Sequence, residues 1–109
     1  CGCDVEVIFG YPVTSNDDRF ADWALDLAGD VAGADHVVKL PHPVMGAEDF
    51  SYVLQNLPGA MMFLGGTPQG ENPATAAPNH SNRVMFDEPA MATGTALYAA
   101  AALRHLAPA

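Results

Sequence analysis

An α/β layer built on a mixed or parallel sheet is the fold class this sequence predicts, and three observations predict it. Residues 4–9 alternate polar and apolar side chains with period two. Residues 17–33 repeat their apolar positions with the 3.6-residue period of a helix. Residues 60–64 form a continuous apolar run, as expected of a strand buried on both faces of such a sheet. The resulting order along the chain is strand, helix, strand, helix, strand, helix.

The elements follow in turn. Val5, Val7 and Phe9 share one side of the first strand, with Asp4 and Glu6 on the other; Cys1 and Cys3 continue the apolar side. Tyr11-Pro12 closes it, because proline cannot donate to a ladder. Ser15, Asn16 and Asp17 form a helix start, and Phe20, Trp23, Ala24, Leu27 and Val31 make one buried stripe that Gly33 ends. Residues 36–40 are a short β-rich run closed by Pro41-His42-Pro43. A second helix carries Phe50, Val53, Leu54 and Leu57 and stops at Pro58-Gly59. After the run at 60–64 comes a glycine- and proline-rich loop, 65–79, and then a brief extended segment, 84–86. Pro89 opens the last helix, to which Met91, Thr95, Tyr98, Ala102 and Leu106 give an apolar face and Arg104 and His105 a basic end.

Composition narrows the function classes. The 109 residues, half of them apolar, suffice for one domain with a modest core. Thirteen acidic against four basic residues give a net charge of −9. Four scattered cations cannot neutralise a phosphate backbone, so nucleic acid is not an expected partner. The longest apolar run, 96–103, falls far short of the roughly 20 residues a membrane span needs. Two cysteines one residue apart would close almost no loop as a disulfide, and the chain reads as cytoplasmic.

Two segments could carry chemistry. His80 follows the long loop, and a neutral imidazole there could close a metal site assembled from distant parts of a fold. Gly46, Ala47 and Glu48 precede a helix, where small residues and free N–H groups could hold a substrate carboxylate. Each has a plainer reading. A lone histidine is more often a surface side chain, and Glu48 and Asp49 suit the first turn of any helix.

The order of blocks raises the odds. Gly10-Tyr11-Pro12 with Asn16-Asp17, Met45-Gly46-Ala47-Glu48-Asp49-Phe50-Ser51, Pro58-Gly59 with Phe63-Leu64-Gly65, and Asn79-His80-Ser81 with Phe86-Asp87-Glu88 resemble the C-terminal portion of the aminoacylase, hippurate hydrolase and indole-acetyl-amino-acid hydrolase family of dinuclear metal-dependent amidohydrolases. The resemblance covers essentially the whole chain. It implies that residues 1–12 are the last strand of a ferredoxin-like lid (dimerisation) domain. Residues 13–109 would be the C-terminal part of a helix-flanked, zinc-peptidase-like catalytic domain.

By the same resemblance His80 matches the family's last metal ligand, and Gly46, Ala47 and Glu48 lie near the bound substrate. His36, His42 and His105 match no ligand. The family's other metal ligands and its catalytic glutamate match nothing here, so no catalytic residue is assigned in this chain, which alone should be inactive. The parent enzyme would hold two divalent ions, zinc first, with manganese or cobalt as alternatives. It would cleave the amide of an N-acyl amino acid and could dimerise through the lid. An N-acetyl-diaminopimelate-type deacetylase and, from another class, a non-catalytic α/β binding or assembly domain are the rival expectations. Ala47 stands where many relatives have serine, and Asn82 where many have proline.

Overall fold

Asp17 fixes where the first helix begins. Its carboxylate accepts the N–H groups of Arg19 and Phe20 at 3.0 and 3.1 Å, two of the donors that a helix start leaves without intrahelical partners. In the computed structural model, which describes residues 2–107, helix α1 therefore spans Asp18–Ala32. Gly33 ends it at φ +93°, donating its N–H to Gly29 O at 2.9 Å. A 3₁₀ turn, Ala34–His36, follows, and His36 Nδ1 donates back to Ala32 O at 2.8 Å. Helix α2 is short, Ser51–Asn56, and ends just before Pro58-Gly59. Helix α3 spans Ala90–Leu106. The sequence located all three helices.

The expected α/β sheet is absent from the described residues. Among the described residues there is no strand, so the mixed-sheet catalytic domain and the closing lid strand within residues 1–12 are both corrected. Cys1 lies outside the described residues. Residues 4–9 run without regular structure, with Val5 79 %, Val7 68 % and Phe9 92 % exposed. Residues 37–40, 60–64 and 84–86 likewise join no ladder. The reason is physical: alternation states which side chains share a face, while a strand exists only through a paired neighbour. Here the apolar segments do not pair with one another.

Packing is concentrated on α1. Ala24, Leu27 and Ala28 are its buried residues, on the predicted stripe or beside it. Phe20 and Trp23 meet edge to face at 6.2 Å, and Phe20 also meets the His105 ring at 6.2 Å. Arg104 pairs with Asp30. Adjacent residues of α3 thus reach positions ten apart on α1, about 15 Å along its axis. The last turn of α3 therefore lies across α1.

The inward face of α3 is not the one expected. Met91, Tyr98 and Leu106 point outward, Tyr98 at 83 % exposure. Ala90, Thr93, Gly94, Leu97, Ala100 and Ala101 are instead the part-covered positions, at the spacing of one helical face. Apart from Leu97 these are small residues, and small residues permit close approach: a Cβ on Gly94 would lie 2.9 Å from Leu64 Cδ2. The described residues remain open in shape. Their radius of gyration is 17.5 Å, against about 13 Å for a packed domain of this length. Their accessible surface is 9346 Å², against roughly 5,800 Å² for a folded monomer of this mass.

Candidate metal-ligand loop and candidate substrate turn

The loop carrying His80 is closed at its base. Asp87 N–H donates to Gly66 O at 2.8 Å, and Phe86 lies against Gly66, where a Cβ would be 3.5 Å from its ring. Between these points the backbone makes a succession of turns. Glu71 N–H donates to Pro68 O at 3.1 Å, and Asn72 caps the next turn by accepting Ala74 N–H at 3.0 Å. Ser81 N–H then donates to Pro78 O at 2.9 Å, which puts His80 inside a tight turn. Ser81 Oγ accepts Arg83 N–H at 3.1 Å and stiffens the exit. His80 itself is exposed. Its environment is a constrained turn on a long loop, the kind of place from which a side chain can be presented.

The 46–48 turn is built differently. Gly46 N–H donates to Val44 O at 3.1 Å, so that group is used locally. Glu48 Oε1 accepts Phe50 N–H at 3.0 Å, and Glu48 O accepts Ser51 N–H at 3.3 Å. Glu48 thus braces the turn just before α2, its carboxylate engaged by the N–H of Phe50, the residue that precedes the helix. Gly46 and Ala47 are exposed, and a Cβ on Gly46 would meet nothing within 4 Å. Ser51 is fully buried, and its Oγ has no hydrogen-bond partner among the described residues.

Neither of two recesses among the described residues brings His80 to the 46–48 turn. A cavity of about 700 Å³ is lined by Asp26, Asp30, Val37, Lys39 and Arg104 among others, and a smaller one of about 190 Å³ by Arg19, Phe20, Trp23 and His105. Neither includes any of the four predicted site residues. Nor do three His, Cys, Asp or Glu side chains converge as a metal site among the described residues.

Sequence reasoning missed one residue in this region. Asn16 Oδ1 accepts Met61 N–H at 2.9 Å and its Nδ2 donates to Met61 O at 3.3 Å, while Asp17 N–H donates to Gly59 O at 2.9 Å. The sequence placed Asn16 in the start signal of α1. An asparagine one residue before the helix cap was the signal available, and it could not name a partner 45 positions away.

Comparison with known proteins decides the family. The model of Peptidase family M20/M25/M40 matches residues 2–104. This chain belongs to that family. Enzymes of the M20/M25/M40 family are generally metal-dependent. Among curated relatives, "Thermostable carboxypeptidase 2" of Saccharolobus solfataricus is 33 % identical over 94 residues, 86 % of this chain and 22 % of its own length. "IAA-amino acid hydrolase ILR1-like 4" of Arabidopsis thaliana is 33 % identical over 96 residues, covering 88 % of this chain and 21 % of its own. "IAA-amino acid hydrolase ILR1-like 6" of the same plant is 32 % identical over 111 residues, covering 96 % and 23 %. The M20/M25/M40 chain described here therefore spans between a fifth and a quarter of the length of these relatives. No solved structure matches it significantly. No helix among its described residues is long and apolar enough to cross a membrane.

Proposed function

We propose that this chain contributes to metal-dependent hydrolysis of the amide bond of an N-acyl amino acid, with His80 as a metal ligand. The observation that carries the reading is family membership across residues 2–104, which includes His80 on its constrained turn. The names of the relatives point to one kind of bond. One relative is named a carboxypeptidase and another an IAA-amino acid hydrolase, and these names support a substrate in which an amide joins an amino acid. A net charge of −9 supports a small-molecule substrate over nucleic acid.

The residues present fit the ion in one respect. An exposed imidazole, with no hydrogen bond to its ring among the described residues, offers one nitrogen donor of the type that zinc, manganese and cobalt accept. Zinc is the ion proposed first. Such an ion, when bound, supplies Lewis acidity toward the scissile carbonyl and the attacking water. In this chain His80 would hold the ion through a ring nitrogen, and the Ser81 turn keeps the imidazole presented. The exposed Ala47 N–H is the proposed contact for the substrate carboxylate, since Gly46 N–H is engaged by Val44 O, and this role needs no hydroxyl at Ala47. Glu48 supports it by fixing the turn through Phe50 N–H.

The test uses the complete protein that carries these residues, assayed on hippurate and on indole-acetyl-amino-acid conjugates. His80→Ala should lower kcat/KM by more than about 100-fold, since even partners that merely orient a ligand cost 10–100-fold. Its metal content should fall as well. Full activity in that variant would refute the ligand assignment, and absence of hydrolysis in the wild type would favour a binding role.

A further inference from the structure

We infer that Asn16 is a positioning residue for His80, an inference that rests on the metal-ligand reading of that histidine. Asn16 uses both halves of its amide on one residue: Oδ1 takes Met61 N–H at 2.9 Å and Nδ2 reaches Met61 O at 3.3 Å. With the Asp17 N–H to Gly59 O bond at 2.9 Å, three hydrogen bonds join the foot of α1 to residues 59–61. The pattern imitates a strand pairing in a segment that has no strand neighbour. Three residues further on, Leu64 lies against Gly94 of α3, and then Gly66 O closes the His80 loop on Asp87 N–H. One end of that loop is thus held by α3, and the chain entering it is held by Asn16.

The same segment also reaches the other proposed element. Tyr11 meets Tyr52 of α2 edge to face at 5.8 Å, so residues 11–17 touch both α2 and the chain feeding the loop. Releasing the amide clamp frees the 60–64 run, whose side chains are only partly covered, and the base of the loop moves with it. Asn16 is exposed, so its bonds compete with water and add little to stability. Its effect lies in where the loop is held.

Zinc affinity of the complete protein, read by competition with a chromogenic chelator, tests this alongside the melting temperature. Asn16→Ala should weaken zinc binding about tenfold, the low end for losing a partner that orients a ligand. Asn16→Asp keeps an acceptor for Met61 N–H and should lose less. Leu27→Val, in the buried face of α1 and away from residues 59–61, serves as the control for lost stability. It should bind zinc within about twofold of wild type, as expected for a change that touches no ligand's support. Wild-type affinity in Asn16→Ala, or an equal loss in Leu27→Val at a comparable melting temperature, overturns the inference. His80→Ala separates the two readings. If it loses zinc while Asn16→Ala does not, the positioning role alone fails; if it retains zinc, both fail.

Discussion

Removing the cap of α1 is the most direct probe of how this chain is organised, because Ala24, Leu27 and Ala28, the buried apolar residues among those described, all lie on that helix. Asp17→Ala deletes the acceptor of two backbone N–H groups, those of Arg19 at 3.0 Å and Phe20 at 3.1 Å. Loss of such a cap costs about 1 kcal/mol. The carboxylate charge at the helix N-terminus adds roughly 0.3–1 kcal/mol. The backbone bond from Asp17 N–H to Gly59 O survives the substitution, so the change isolates the side chain. A total of about 1–2 kcal/mol corresponds to roughly 5–30-fold in a local opening equilibrium. Hydrogen exchange at the amides of Arg19 and Phe20 in the complete protein should accelerate by that factor. Asp17→Asn keeps an acceptor oxygen and should show only the charge share. Asp18→Ala, which breaks no observed cap bond, should do no more. Unchanged exchange in Asp17→Ala, or equal acceleration in Asp18→Ala, would refute the capping argument.

Two glycines give further tests. Gly33 sits at φ +93°, and an added Cβ would lie 3.3 Å from His36 Nδ1, which donates to Ala32 O. Gly33→Ala should therefore cost about 1–3 kcal/mol in urea unfolding, and a loss under about 0.3 kcal/mol would contradict the strained turn. At Gly94 two effects oppose each other: alanine gains about 1 kcal/mol of helix propensity, while its Cβ meets Leu64 Cδ2 at 2.9 Å. Leu64 is half-exposed and its tip can swing away, so Gly94→Ala should be near neutral or mildly stabilising. Gly94→Leu should destabilise by about 1–3 kcal/mol through overpacking. Equal midpoints for the two variants would show that α3 does not press on residue 64.

Local signals were legible wherever the deciding interaction is local. The Asp17 cap, the Gly33 stop, the Pro58-Gly59 stop and Pro89 lie within a few residues of the ends they control, and α1, α2 and α3 lie where those signals put them. The strands were not legible in the same way, because Val5, Val7 and Phe9 can announce a face without supplying the neighbour that makes a strand. On α3 the apolar weight of Met91, Tyr98 and Leu106 pointed to one face, while packing selected another, where Gly94 and its small neighbours flank Leu97. His80 and the 46–48 turn stood out through the order of several blocks, since neither segment is distinctive alone. The Asn16 clamp on Met61 is a contact across 45 positions, beyond the reach of any pattern in the sequence.

An anomalous difference map, recorded at the zinc absorption edge from zinc-loaded crystals of the complete protein, tests the metal-ligand assignment most directly. A peak about 2.0–2.1 Å from a ring nitrogen of His80 is the predicted result. A bound ion whose coordination shell excludes His80 would contradict it.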